Sequence, residues 1–205
     1  MAAQDYTGPV RWVVVDDGPD AQPVAFQRAG WAVEVVRPAP VWEPGQNTQA
    51  RNLLAGLAVI EPDARVVLIE DDDWYAPQWL RTVGAALADA ELVGESRARY
   101  YNASLRLGRQ LSNATHSSLC STAVRGAALH DLADICRRAP KFIDLELWRR
   151  PRRRHLFEGH RVVGIKGLPG RGGIGMGHRE DFKGQADPSG ALLRTWVGAD
   201  ARYYL

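Results

Sequence analysis

Apolar and polar positions fall into two periods that alternate along the chain. The stretch "RWVVVDDGPD" carries an unbroken apolar run from Trp12 to Val15 before two acids and a Gly-Pro turn, which predicts a short buried strand. A second apolar run, "WAVEVVRP", is closed by Pro38, and "PVAFQRAG" between the two has helical spacing with a glycine exit, so the opening reads β-α-β. In "TQARNLLAGLAVIEP", Leu53, Leu54, Leu57, Ala58 and Ile60 recur at helical intervals, with Asn47 as a cap and Pro62 as the stop. The run "ARVVLIE" is continuous rather than alternating, as in a strand covered on both faces. "PQWLRTVGAALADA" is then a helix that starts at its proline. Strands alternating with helices predict an α/β fold with a mostly parallel central sheet flanked by helices.

The pattern changes after Glu91. "RARYYNASLRL" has strand composition with partial alternation, "RGAALHDLADICRRAP" is helical, and "FIDLELWRR" is a short amphipathic stretch before a basic run. The tail holds one strand around "HRVVGIKG" and then seven glycines between Gly164 and Gly177, which is loop composition.

A length of 205 residues suits one domain with a real core. A hydrophobic content of 45% and a charged content of 24% are ordinary for a globular chain. The net charge of +2 hides an uneven spread, because nine Lys or Arg stand against Glu158 between Trp148 and Arg179. Such a block is a solvated face or a surface for a phosphate-rich partner. Cys120 and Cys136 have neither the number nor the spacing of a disulfide framework or zinc site, and read as reduced structural residues. No basic-then-apolar leader and no apolar run near the ~20 residues that span a bilayer is present, so a cytoplasmic protein with no membrane partner is expected.

The chemistry concentrates at two acid clusters, Asp16-Asp17 and Glu70 to Asp73, each at the carboxyl end of an expected strand. Ligands of open parallel α/β sheets bind there. Four adjacent carboxylates stay ionised together either in open water or around a cation, so the second cluster is a solvated turn or a site for Mg²⁺ or Mn²⁺ shared with phosphates.

Three segments in order, "VVVDDGPD", "PGQNTQARNLLAGL" and "LIEDDDWYAPQWL", resemble the successive signatures of the family 2-like, GT-A-fold nucleotide-sugar glycosyltransferases. These are a strand ending in an Asp-Asp-Gly-Ser type turn, an Ala-Arg-Asn helix, and a strand ending in Asp-x-Asp-Asp with a proline four residues on. Asp73 and Pro77 keep that last interval. The resemblance implies a single GT-A (Rossmann-like) domain over 1–205, with 1–95 as the nucleotide-sugar-binding half and 96–205 as the acceptor-binding half. It implies Asp16 and Asp17 at the uracil and ribose of a UDP-sugar, and Arg51 and Asn52 facing the donor. Asp72 falls on the metal-binding position, and Asp71 and Asp73 share the site. Glu70 stands where the family has Asp.

"FIDLELWRR" resembles the segment whose Asp is the general base of inverting members, which maps onto Asp144, although Ile143 replaces the family's preceding Glu. Glu146 is the alternative, read as a solvated helix charge. His178, at the end of "GRGGIGMGH", resembles the late metal-ligating His of many such enzymes, with Lys166 and Arg171 nearby for the donor phosphates. The fold also serves sugar nucleotidyltransferases, but those open with a Gly-rich basic loop that "DDGPDAQP" lacks.

The run "RRPRRRH" supplies Arg149, Arg150, Arg152, Arg153 and Arg154 beside the expected base, a surface suited to a polyanion such as DNA. Tyr100 and Tyr101, with Asn102, offer stacking and hydrogen bonds to an extruded base, or else pack within a strand. Size, basic placement and the "GIGMGH" tail are similar to the small phage transferases that glycosylate hydroxymethylated pyrimidines in DNA, including those associated with TET/JBP-type oxygenases. The resulting expectation is a metal-dependent, inverting hexosyltransferase acting on 5-hydroxymethylcytosine in DNA, in the host cytoplasm if phage-encoded. A saccharide or other small acceptor, or a non-catalytic nucleic-acid-binding module, remains the alternative.

Overall fold

The computed structural model describes residues 1–43, 45–170 and 175–205. Among these, the strands fall into three small sheets rather than one. β1 (Val10–Val15) and β2 (Trp31–Val36) form a parallel pair by themselves, in register from Val10 opposite Trp31 to Val15 opposite Val36. A four-stranded sheet has the order β3-β8-β5-β9, built from β3 (Val66–Val67), β8 (Thr122–Val124), β5 (Leu92–Glu95) and β9 (Arg154–Phe157). A five-stranded sheet has the order β11-β7-β6-β10-β4. Its strands are β11 (Gln185–Ala186), β7 (Leu107–Gln110), β6 (Arg99–Asn102), β10 (Val162–Lys166) and β4 (Trp74–Tyr75). β10–β4, β11–β7, β3–β8, β5–β8 and β6–β7 pair antiparallel, whereas β1–β2, β10–β6 and β5–β9 are parallel.

This arrangement overturns the expected GT-A-type, mostly parallel central sheet. A parallel sheet needs a covering crossover between successive strands, commonly a helix. The expected crossover helix between β1 and β2 is absent: residues 22–28 are irregular. Pro19 and Pro23 remove backbone donors there. The segment is held instead by Phe26, whose ring meets Trp12 edge-on at 5.4 Å and Trp31 at 5.5 Å. Later, β6 and β7 form a hairpin whose turn places Arg106 at φ 51°, and β8 returns antiparallel between β5 and β3.

Helices cover the sheets where apolar periodicity predicts them. α1 (Gln49–Leu57) and α3 (Ala127–Arg138) pack with α4 (Ile143–Trp148) over β3 and β5, burying Leu92, Leu132, Ile135 and Leu147 completely. α2 (Trp79–Ala86) buries Trp79 and Val83 on another face of β5. Its start is fixed by the buried Gln4, whose side chain donates to Ala76 O at 2.9 Å and accepts from Leu80 N at 2.9 Å, satisfying a helix-end donor. α5 (Ala191–Val197) packs Leu193 and Val197 against Tyr101, Val163 and Ile165 of the five-stranded sheet. The two cysteines are free and buried. No helix among the described residues is long and apolar enough to cross a membrane.

Candidate functional site

β1 ends in Asp16 and Asp17, and α1 begins directly opposite. Asp17 Oδ2 accepts from Thr48 Oγ1 at 2.6 Å, Asn52 Nδ2 at 2.7 Å and Arg51 Nη2 at 3.1 Å. Burial pushes this carboxyl up, but the hydrogen bonds from Thr48 and Asn52 and the charge of Arg51 outweigh it and hold Asp17 below the usual carboxylate range. The expected trio of Asp17, Arg51 and Asn52 is therefore together, bonded to itself. Thr48 rather than Asn47 stands at the helix N-cap position. Asp16 accepts from Gly18 N at 3.0 Å and pairs with Arg37 at 3.3 Å, which shapes the turn.

The second acid cluster is a turn between β3 and β4 that sends its four carboxylates to different surroundings. Asp71 is exposed, Glu70 and Asp72 are partly buried, and the side chain of Asp73 is fully buried. The turn is pinned by Tyr75, whose hydroxyl accepts from Glu70 N at 2.8 Å and donates to Cys120 O at 3.0 Å. From β10, Lys166 brings its ammonium into the middle of the cluster, 2.8 Å from Asp73, 3.0 Å from Glu70 and 3.4 Å from both oxygens of Asp72. Asp73 Oδ1 also accepts from Ile165 N at 2.8 Å, while its Oδ2 is buried with no hydrogen-bond partner. Burial pulls the Lys166 ammonium down, but Glu70, Asp73 and Asp72 push it well above its ordinary value, so it stays charged. Burial drives Asp73 well up, against the opposing pull of Lys166.

The metal set expected from sequence, Asp72, Asp73 and His178, does not converge. Asp73 is committed to Ile165 N and Lys166. The described residues whose ligand atoms do gather, all within 4.8 Å, are Glu70, Asp73 and Cys120. Cys120 is a poor partner for a hard cation, since burial together with Asp73 and Glu70 pushes its thiol well up. The position a cation would take among the carboxylates is held by Lys166.

One cavity of about 1720 Å³ joins these groups: Asp16, Asp17, Thr48 and Asn52 line it together with Glu70, Asp71, Asp72 and Lys166. Asp144, His116, Tyr100, Ser118, Gly177 and His178 line it as well. Asp144 opens α4, where its Oδ1 accepts from Leu145 N at 2.9 Å. Burial raises its carboxyl above the usual range, against the pull of Leu145 N and His116, which suits a proton acceptor. Glu146, the alternative base, is tied to Arg138 at 2.8 Å. His178 is lowered by burial and by Lys166, with Asp72 opposing, and is neutral near pH 7.

Gly177 carries His178 against the cluster. A Cβ on Gly177 would stand 2.7 Å from Lys166 Cγ, so only glycine allows this approach. Asn102 Nδ2 donates to Gly177 O at 2.8 Å and its Oδ1 accepts from Ser104 and Leu105, so Asn102 anchors the loop instead of reading a base. Arg171 lies outside the described residues.

The nucleic-acid expectations fare unevenly. Successive strand residues face opposite sides. Tyr100 accordingly lines the cavity with its hydroxyl on Ser118 Oγ at 2.8 Å, while Tyr101 is fully buried on the α5 side with its hydroxyl on Asp187 at 3.2 Å. Tyr101 is thereby removed from any stacking role. Arg152 is likewise committed, in a two-point pair with Asp131 at 2.6 and 3.0 Å. Arg149, Arg153 and Arg154 are exposed and Arg150 partly so; Arg154 also donates to Trp148 O at 2.7 Å. None of these arginines lines the cavity.

The sequence pattern does not single out Thr48, Tyr75, His116 or Ser118. Thr48 carries a signal, its place just before a helix; the others are assembled by long-range contacts that leave no local pattern. Comparison with protein-family models, with curated proteins and with solved structures returns no match.

Proposed function

We propose that this protein is a glycosyltransferase that moves a sugar from a UDP-sugar to an acceptor hydroxyl. The observation that carries the reading is the shared cavity: the Asp17-Asn52 pair, the Lys166-centred cluster and the burial-raised Asp144 meet in one space large enough for donor and acceptor together. Asp17 Oδ2 is consumed by α1, and its Oδ1 accepts no hydrogen bond from the described residues, which leaves it for the uracil or ribose. Lys166 offsets part of the negative charge of Glu70 and Asp72 on the wall that would face the donor diphosphate. Asp144 accepts the acceptor proton as the hydroxyl oxygen attacks C1. The new C1–O bond forms as the bond from C1 to the phosphate oxygen breaks, its electron pair leaving with UDP and the configuration inverting.

For the acceptor we propose 5-hydroxymethylcytosine in DNA. Exposed Arg149, Arg153 and Arg154 provide phosphate-binding charge, and Tyr100 gives the cavity an aromatic wall. The test is UDP release from a panel of UDP-sugars, with hydroxymethylcytosine duplex against unmodified duplex. Asp144→Asn is expected to lose roughly 10²–10⁴-fold in rate while retaining UDP binding. Turnover that ignores the DNA sends the acceptor back to a saccharide or other small molecule. Absence of any UDP-sugar binding, with salt-sensitive DNA binding intact, leaves a non-catalytic nucleic-acid module.

A further inference from the structure

An acidic turn that holds a divalent ion presents its oxygens to an open centre, and here the centre is filled by the chain itself. The Lys166 ammonium lies 2.8 Å from Asp73, 3.0 Å from Glu70 and 3.4 Å from both Asp72 oxygens. Its side chain is only 7% exposed, its stem passes so near Gly177 that a Cβ there would stand 2.7 Å from Lys166 Cγ, and β10 fixes its root through pairing with β6. The fully buried Asp73 adds a second, independent sign that the centre is built for a cation, because its Oδ2 is buried without a hydrogen-bond partner. A Mg²⁺ or Mn²⁺ ion bound by these oxygens at ~2.1 Å would sit within about 3 Å of the ammonium nitrogen, and the two cations repel strongly in so dry a place.

We propose that Lys166 is the resident cation of the Glu70–Asp72–Asp73 cluster, standing where a divalent metal would otherwise be held, so that the site works without one. Glu70, Asp72 and Lys166 all line the cavity, so a donor diphosphate bound there would lie beside a cluster whose negative charge the ammonium partly offsets; only this last consequence rests on the transferase reading. Removing the charged end of Lys166 leaves three carboxylates around an empty centre, and the protein then acquires the ion site that its lysine blocks.

The test is Mn²⁺ titration followed by electron paramagnetic resonance, on the whole chain without donor. Wild type is expected to bind no Mn²⁺ at this cluster below millimolar concentration. Lys166→Met is expected to bind one equivalent at least about tenfold more tightly, and Asp72→Asn in that background to weaken it again. If Lys166→Met alone does not fold, Asp73→Asn/Lys166→Met removes one buried charge with the ammonium and keeps Glu70 and Asp72 for the same titration. One tightly bound Mn²⁺ in wild type that is lost in Asp72→Asn overturns the proposal, as does a lysine-free variant with no gain in affinity. Neither readout involves sugar transfer. A protein that fails to turn over UDP-sugars but shows this exchange refutes only the transferase reading, and a wild type that binds Mn²⁺ tightly while turning over donor refutes only the resident cation.

Discussion

Replacing Asp17 by Asn keeps the shape of the side chain and removes its charge, which isolates what the β1–α1 junction owes to an ionised carboxylate. One oxygen of Asp17 takes three donors, two of them at 2.6 and 2.7 Å, and the side chain is only 20% exposed. Charge-assisted hydrogen bonds contribute roughly 1.5–3 kcal/mol each when well shielded, but an amide oxygen at position 17 still accepts from Thr48 and Asn52. The Arg51 pair, 28% exposed, is discounted for solvent. The net loss for Asp17→Asn is about 2 kcal/mol at pH 7. With a urea m-value of about 2 kcal/mol/M, the unfolding midpoint falls by about 1 M. The pH dependence follows from the direction of the shift. A carboxyl depressed in the folded state contributes its stability fully above the unfolded value near ~3.9, and loses it as pH falls through the lower folded value. Urea melts of wild type and Asp17→Asn should therefore differ at pH 7 and converge in acid, once the pH has fallen through the depressed folded value. Equal midpoints at pH 7, or a gap that persists unchanged into acid, refute the reasoning and would mean that α1 docks on β1 by apolar packing alone.

Gly177→Ala places a Cβ 2.7 Å from Lys166 Cγ and 3.3 Å from Lys166 Cβ, so the loop must shift; a loss of about 1–3 kcal/mol in a thermal melt, with weakened UDP binding, is expected, and an unchanged melt would place the loop elsewhere. Tyr101→Phe removes the hydroxyl from Asp187, which still accepts from Leu192 N and Leu193 N; stability should fall by about 1 kcal/mol while DNA affinity in a fluorescence titration stays level. A collapse of DNA binding instead would return Tyr101 to the surface. Replacing Arg149, Arg153 and Arg154 by Ala should flatten the plot of log affinity for DNA against log salt by up to about 3, one for each phosphate that an arginine no longer neutralises, whereas Arg152→Ala should cost stability through Asp131.

What was legible in the chain is what depends on near neighbours. The apolar repeat of Leu53, Leu54 and Leu57 marks α1, although the helix ends at Leu57 and does not take in Ile60 or run to Pro62, and "RGAALHDLADICRRAP" contains α3 with two residues over at each end. The two acidic turns stand where the ends of their apolar runs put them, directly after Val15 of β1 and after the run that contains β3. The sheet arrangement was not legible. Alternating apolar and amphipathic segments do not say which strands share a sheet: "PVAFQRAG" satisfies the helical period without being a helix, its Phe26 packed on Trp12 and Trp31, and the strands it joins, β1 and β2, pair parallel all the same but stand apart from the other two sheets. "ARVVLIE" pairs as a strand only at Val66 and Val67 before its backbone turns toward the acids. Tyr100 and Tyr101 could have been separated from sequence alone, because adjacent strand residues cannot both face one ligand.

Four consecutive carboxylates are tolerated here because the turn spreads them over three degrees of burial rather than one. Asp71 is exposed, Glu70 and Asp72 stand partly buried at the cavity wall, and Asp73 is carried into the core. That last step is costly unless a cation accompanies it, since a buried charge is stable only when paired. Lys166 lies more than 90 residues away in sequence, and it reaches Asp73 only because β4 and β10 are neighbours in one sheet, with Trp74 opposite Val163. The acid turn and the basic strand are therefore a single structural unit: the buried Asp73 depends on Lys166, while the ammonium is held by Glu70 and Asp72 as well. Asp73→Asn alone should on this ground be milder than Lys166→Met alone, because the former leaves the ammonium with Glu70 and Asp72, while the latter strands a buried carboxylate beside two others. A reversed order in urea midpoints would show that the cluster draws its cation from solution instead of from the chain.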